Sequence, residues 1–137
     1  MIRKTLLACA AVFGLTMAAM PASAAELIES YNAWLSRADH YNSNGQRLTS
    51  AAAIIRQDRA NYHKFGIQDP GDESDNYFDN VNNRDLLERL LNDGTSDPGV
   101  LRQIVNNNVM IHVDIYRGEH HGDYVIVTLG NPSEGGY

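Results

Sequence analysis

Two groups of side chains in this sequence have the types and spacing that bear on chemistry. Asp69, Asp72, Glu73, Asp75 and Asp79 place five carboxylates within eleven residues, around a Pro70-Gly71 turn. Such an oxygen-rich loop suits a hard cation such as Ca²⁺, which takes roughly six to eight oxygen ligands. The spacing departs from an EF-hand, because alternating acids, central glycine and terminal glutamate are out of register. The competing expectation is a solvated loop whose acids sit at the N-terminus of the next helix.

The second group is His112, Asp114 and Tyr116, which fall on one face of a strand by period-two geometry. Tyr124 and Thr128 join them from a following strand if residue 116 pairs with 124. A His-Asp pair is the beginning of acid–base chemistry. No G-x-S-x-G nucleophile motif accompanies it. A recognition surface is the expectation, since tyrosine and histidine suit binding. His120 and His121 stand side by side between Glu119 and Asp123. Adjacent residues of an extended segment point to opposite sides, so joint chelation by the pair is disfavoured. A transition-metal site using one of them with Glu119 or Asp123 is the alternative, and no H-E-x-x-H spacing supports it.

These side chains need elements to position them. Val109, Ile111, Val113 and Ile115 alternate with Met110, His112, Asp114 and Tyr116, which predicts a half-buried strand. Tyr124 to Leu129 predicts a second, with Gly118 to Asp123 as connector, making a C-terminal antiparallel β-hairpin. Its apolar face, Val109, Ile111, Val113, Ile115, Val125, Val127 and Leu129, must pack on helices, because an isolated hairpin is marginal in water.

Upstream, Leu27, Ile28, Tyr31, Trp34, Leu35 and Ala38 recur at helical spacing and predict a helix over Glu26 to Tyr41, with Trp34 in the core. A second helix is expected from Thr49 to Phe65, capped by Thr49 or Ser50 and ended by Gly66. Its apolar face would be Ala51, Ala52, Ile55, Tyr62 and Phe65, with Arg56, Asp58, Arg59 and Lys64 mostly on solvated faces. Glu73 to Val81 suggests a short helix presenting Tyr77, Phe78 and Val81. Asn83 caps a helix over Arg84 to Asn92 with an apolar face of leucines. Asp97-Pro98 opens another, reaching about Val105. The expected fold is therefore a small α+β domain over 25–129, three to five helices followed by a C-terminal hairpin, with a frayed tail over 130–137.

The first 24 residues read as a cleaved secretory signal. Arg3 and Lys4 precede a charge-free run, and Ala22-Ser23-Ala24 supplies the small residues signal peptidase accepts. Pro21 shortens the apolar part below the ~20 residues of a membrane span. Cys9 lies too early for a lipidation box, and there is no twin-arginine pair. Loss of Arg3 and Lys4 would leave nine basic against seventeen acidic side chains, a net charge of −8. That balance disfavours nucleic acid and anionic membrane surfaces, which require basic patches. Cys9 is the sole cysteine and departs with the signal, so the exported chain would have no disulfide.

Together these features predict a small acidic protein of the periplasm or extracellular medium. It would serve as a binding or envelope-associated module without cofactor or catalysis, and would not be an integral membrane protein. Two alternatives stand beside this reading. One is an exported hydrolase using His112 and Asp114, or a metal at the acidic loop. The other is an exported divalent-cation binder.

Overall fold

The computed structural model describes residues 25–131. The expected signal segment, Cys9 and most of the expected tail lie outside the described residues. Strands β1 (Glu26–Leu35), β2 (Val109–Arg117) and β3 (Tyr124–Leu129) form an antiparallel sheet in the order β1-β2-β3. Between β1 and β2 run a 3₁₀ turn (Arg37–His40) and helices α1 (Ala51–Ala60), α2 (Val81–Asp85), α3 (Leu87–Asp93) and α4 (Pro98–Asn106). A single π turn, Asn61–Phe65, prolongs α1.

The mixture of helix and antiparallel sheet is as expected, but the strands are not confined to the C-terminus. The segment predicted as the first helix is β1. Its apolar residues fit both periods: helical through Leu27, Ile28, Tyr31, Trp34 and Leu35, and alternating through Tyr31, Ala33 and Leu35. Nine cross-strand pairs with β2 decide the matter, since pairing and burial outweigh local propensity. Trp34 consequently moves from the expected core to the half-buried outer face of the sheet.

The hairpin follows its predicted register, with Tyr116 opposite Tyr124 and His112 opposite Thr128. Ile111, Val113, Ile115, Val125 and Val127 are fully buried with Tyr31, Ala33 and Leu35, and the inner face packs on Ile54, Ile55, Leu87, Leu90 and Ile104. Each such aliphatic side chain contributes about 1.5–3 kcal/mol by burial. Leu129, at the last position of β3, stays 43 % exposed.

Ser50 caps α1 by accepting from the Ala53 N–H, and Gly66 ends the π turn at φ +67°, a left-handed conformation that suits glycine. Asp97 caps α4 with Pro98 in its first turn. Three segments differ from expectation. Asp58 and Arg59 are buried, whereas Phe65 is 48 % exposed. Residues 73–80 form no helix: Glu73 and the Asn76 and Tyr77 N–H groups are engaged along the β1 edge, while Asp75 turns to Arg59 and His63. The expected helix from Arg84 is two short ones, capped by Asn80 rather than Asn83. The C-terminus of α4 is closed from outside: His40 Nε2 lies 2.7 Å from the Ile104 carbonyl oxygen, and Arg47 donates to that of Val105 at 2.7 Å. Terminal carbonyls lack intrahelical donors and favour such partners.

Both sheet edges are covered. Along β1, the Asn32 N–H donates to Glu73 Oε2 and the Trp34 N–H to Asp72 Oδ1, each at 2.8 Å. Glu29 reciprocates, accepting from the N–H groups of Asn76 and Tyr77 at 2.9 and 3.0 Å. Along β3, the Val127 N–H donates to Ser96 Oγ at 2.9 Å. Gly94 lies so close to this strand that a Cβ there would stand 1.8 Å from the Val125 carbonyl oxygen. Covered edges cannot template further strand pairing. The described residues contain no helix long and apolar enough to cross a membrane.

Candidate functional site

The fold creates two Asp-His pairs in opposite surroundings. The first lies beneath the sheet. Arg59 is fully buried, its guanidinium between the Tyr31 and Tyr62 rings at 4.3 and 4.8 Å from their centroids. It donates to Asp58 Oδ2 at 2.7 Å, to Asp75 Oδ1 at 2.8 Å and to the Glu73 carbonyl at 2.9 Å. Asp75 Oδ1 also meets His63 Nε2 at 2.8 Å, while Asp75 Oδ2 accepts from the Phe78 N–H. Asp79, exposed, lies 3.5 Å from His63 Nδ1. Asp75 is thus fully committed to structure, holding α1, the π turn and the loop together.

This accounts for the acidic stretch. Asp72 and Glu73 cap the β1 edge, Asp75 neutralises Arg59, and Asp69 contributes its backbone N–H to Asp72 Oδ2 at 2.8 Å. Among the described residues, no three His, Cys, Asp or Glu side chains converge as a metal ion would require. The carboxylates are dispersed into separate roles, which corrects the expectation of a shared oxygen cage. The solvated-loop expectation holds only in part: Asp79 is exposed and α2 opens just after it at Val81, but Asp75 is buried.

Burial governs the electrostatics here. It pushes the Asp58 carboxyl well above the ordinary range, against the opposing pull of Arg59. Asp39 and Asp72 are raised by the same cause, against hydrogen bonds from Asn61 and Ser36 in one case and from backbone N–H groups in the other. Burial likewise raises the Tyr31 phenol. Tyr77 is pushed up to about 12, by partial burial and by its hydrogen bond to Asp123.

The second pair lies on the sheet's open face. Period-two geometry brings Ser30, Asn32 and Trp34 of β1, His112, Asp114 and Tyr116 of β2, and Tyr124 and Thr128 of β3 to that side. Asp114 Oδ1 accepts from Ser30 Oγ at 2.5 Å and meets His112 Nε2 at 3.1 Å. His112 Nδ1 faces Asn32 Oδ1 at 2.8 Å. Tyr116 and Tyr124 stack at 5.3 Å between centroids, 18° from parallel. The expected group His112, Asp114, Tyr116 and Tyr124 is therefore assembled. Four residues of strand separate His112 from Tyr116, about 14 Å.

His120 and His121 stand apart from this row, in the connector beyond Tyr116. His120 is strongly exposed, its Nε2 3.9 Å from Glu119 Oε2, and Arg89 donates to the His121 carbonyl at 3.3 Å. With the loop they border a separate cavity of about 390 Å³.

Sequence reasoning missed Ser30, Asn32 and Trp34, because they belong to a segment read as helix. It missed Arg59 because a charged residue scores as surface. The available signal was position: Ala51, Ile55 and Arg59 follow one another at i+4, on the face already marked apolar. Protein-family models, curated proteins and solved structures were compared with this chain, and none of them matches it.

Proposed function

We propose that the chain is an exported, non-catalytic binding module whose open sheet face takes a neutral, hydroxyl-rich ligand, such as a glycan of the cell envelope. The observation that carries this reading is the hydrogen-bonded row Ser30–Asp114–His112–Asn32 beside the stacked Tyr116 and Tyr124. Side chains locked by one another present carboxylate, amide and imidazole groups without further ordering cost, which favours binding by preorganisation. Half-buried aromatic rings supply apolar faces for the C–H surfaces of sugar rings. The acidic chain argues against an anionic polymer. Covered edges argue against strand addition by a peptide.

The order of the row argues against the hydrolase alternative. In a catalytic triad the imidazole stands between hydroxyl and carboxylate, so that it receives the hydroxyl proton. Here Asp114 stands between Ser30 and His112. His112 has no path to the Ser30 proton.

Trp34 is the sole tryptophan and lies on this face. Titration with a soluble hexamer of β-linked N-acetylglucosamine should change its emission, and Asp114→Ala and Tyr124→Ala should each weaken binding about tenfold. An unchanged signal, confirmed by calorimetry showing no heat of binding, would refute the reading. Export is tested separately by N-terminal sequencing of the secreted chain, with Ala25 expected first.

A further inference from the structure

A large concavity lies away from the sheet, lined by helix and turn residues. It is a cleft of about 440 Å³ between the outward side of α1, the 42–44 turn and α2. A second cavity of about 420 Å³ adjoins it, sharing Asn42, Ser43, Gln57 and Phe65 and reaching Ile67. Sequence patterning assigns this side of α1 to solvent.

Three observations set it apart. First, Arg56, Lys64 and Arg84 line the cleft against one carboxylate, Asp85, in a chain whose net charge is −6. Arg84 is committed to the Phe78 and Asp79 carbonyls at 2.7 and 3.1 Å, and Arg56 shares Asp85 at 2.6 Å. Lys64 has no carboxylate partner among the described residues; its Nζ lies 5.2 Å from the Phe65 ring centroid. Second, three of the large apolar side chains left exposed line this groove: Phe65 at 48 %, Ile67 at 50 % and Val81 at 54 %. Clustered exposed apolar surface marks interaction sites rather than ordinary surface. Third, the groove wall is the π turn Asn61–Phe65. Such turns cost hydrogen-bond geometry and recur at functional sites. Here the turn buries Asn61, whose side chain donates to Asp39 Oδ1 at 2.9 Å, while Lys64 and Phe65 are exposed on the groove.

From this juxtaposition of cations and exposed apolar side chains we propose that the α1 groove binds a single-chain amphiphile with an anionic headgroup. The headgroup sits at Lys64 and Arg56, where charge complementarity is local. The long-range field of an acidic chain repels anions, so binding requires this patch. The apolar chain lies over Phe65 and on towards Ile67 or Val81. From Ala53 to Phe65 the groove wall offers about 18 Å of helix. The site is independent of the sheet face, and its occupancy neither requires nor excludes a ligand there.

The test is calorimetric titration of the whole folded chain with laurate, kept below its micelle-forming concentration. Butyrate, inorganic phosphate and dodecyl maltoside serve as comparison ligands. Laurate should bind, and Lys64→Glu and Phe65→Ser should each weaken it about tenfold or more. Both side chains are exposed, and an unchanged melting midpoint verifies that each variant is folded; Lys64→Gln replaces any that is not. Butyrate and phosphate should bind far more weakly, which separates an amphiphile site from a simple anion site. Dodecyl maltoside should also bind far more weakly, which separates it from a merely apolar groove. Trp34 emission should stay constant throughout. Equal binding of any comparison ligand would overturn the proposal, as would indifference to Lys64→Glu. Absence of laurate binding would do the same, as would a Trp34 response abolished by Tyr124→Ala.

Discussion

Asp75–His63 and Asp114–His112 are the same two side-chain types at nearly the same separation, 2.8 and 3.1 Å. Their surroundings give them different work. Asp75 is enclosed with Arg59, Asp58 and two aromatic rings, and each of its oxygens is occupied by the fold itself. Asp114 is open on one side, with its neighbours held in a row and solvent above them. In the first, removing a partner leaves a charge stranded away from water. In the second, water replaces whatever is lost. Residue identity therefore says little about role until burial is known.

The sharpest way to break the comparison is to remove the buried cation. Arg59→Ala strands Asp58 and Asp75, and such a loss typically costs about 3–5 kcal/mol. Denaturant unfolding should register it as a large fall in midpoint. A change below about 1 kcal/mol would show that the cluster is not structural.

A smaller effect should appear in the pH dependence. The folded-state pKa of Asp58 is raised above its unfolded value, as are those of Asp39 and Asp72. The folded chain then holds more protons than the unfolded one in the window above about pH 4, so stability falls as pH rises through it. Asp58→Asn keeps an acceptor for Arg59 but cannot ionise. It should flatten this decline and raise the neutral-pH melting midpoint relative to its value in acid. A parallel slope in variant and parent would remove Asp58 from the account. The same sign applies to Tyr77, whose contribution is intact below pH 10 and lost as pH rises through about 12.

The smallest effect belongs to the open face. His112→Ala and Asp114→Ala should each shift folding stability by about 0.5 kcal/mol or less, since exposed pairs contribute little. Losses as large as those beneath the sheet would erase the distinction between the two pairs.

Legibility in the sequence follows the same division. The hairpin, its connector and the pairing of Tyr116 with Tyr124 were readable because strict alternation lies beside a turn, and both are local. The Asp97-Pro98 and Ser50 caps were readable for the same reason. β1 was not, because Tyr31 and Leu35 fit both periods and the deciding partner lies eighty residues away. The acidic stretch was legible as a cluster but not as separate caps, because Asp72 and Glu73 bond backbone groups of that same misread strand and Asp75 pairs with Arg59, which was read as surface. Ser30, Asn32 and Trp34 of the open face went unseen with it.

The placement of β1 also bears on the order of folding. β1 pairs with a strand that is synthesised some eighty residues after it, and the helices between them rest on the face those two create. Closing so long a loop must precede most of the reward, which slows folding and leaves early segments without partners. A partial chain ending before Val109 holds β1 with neither neighbour nor cover. The molecule thus remains open to passage, chaperoning or proteolysis until β2 and β3 are available.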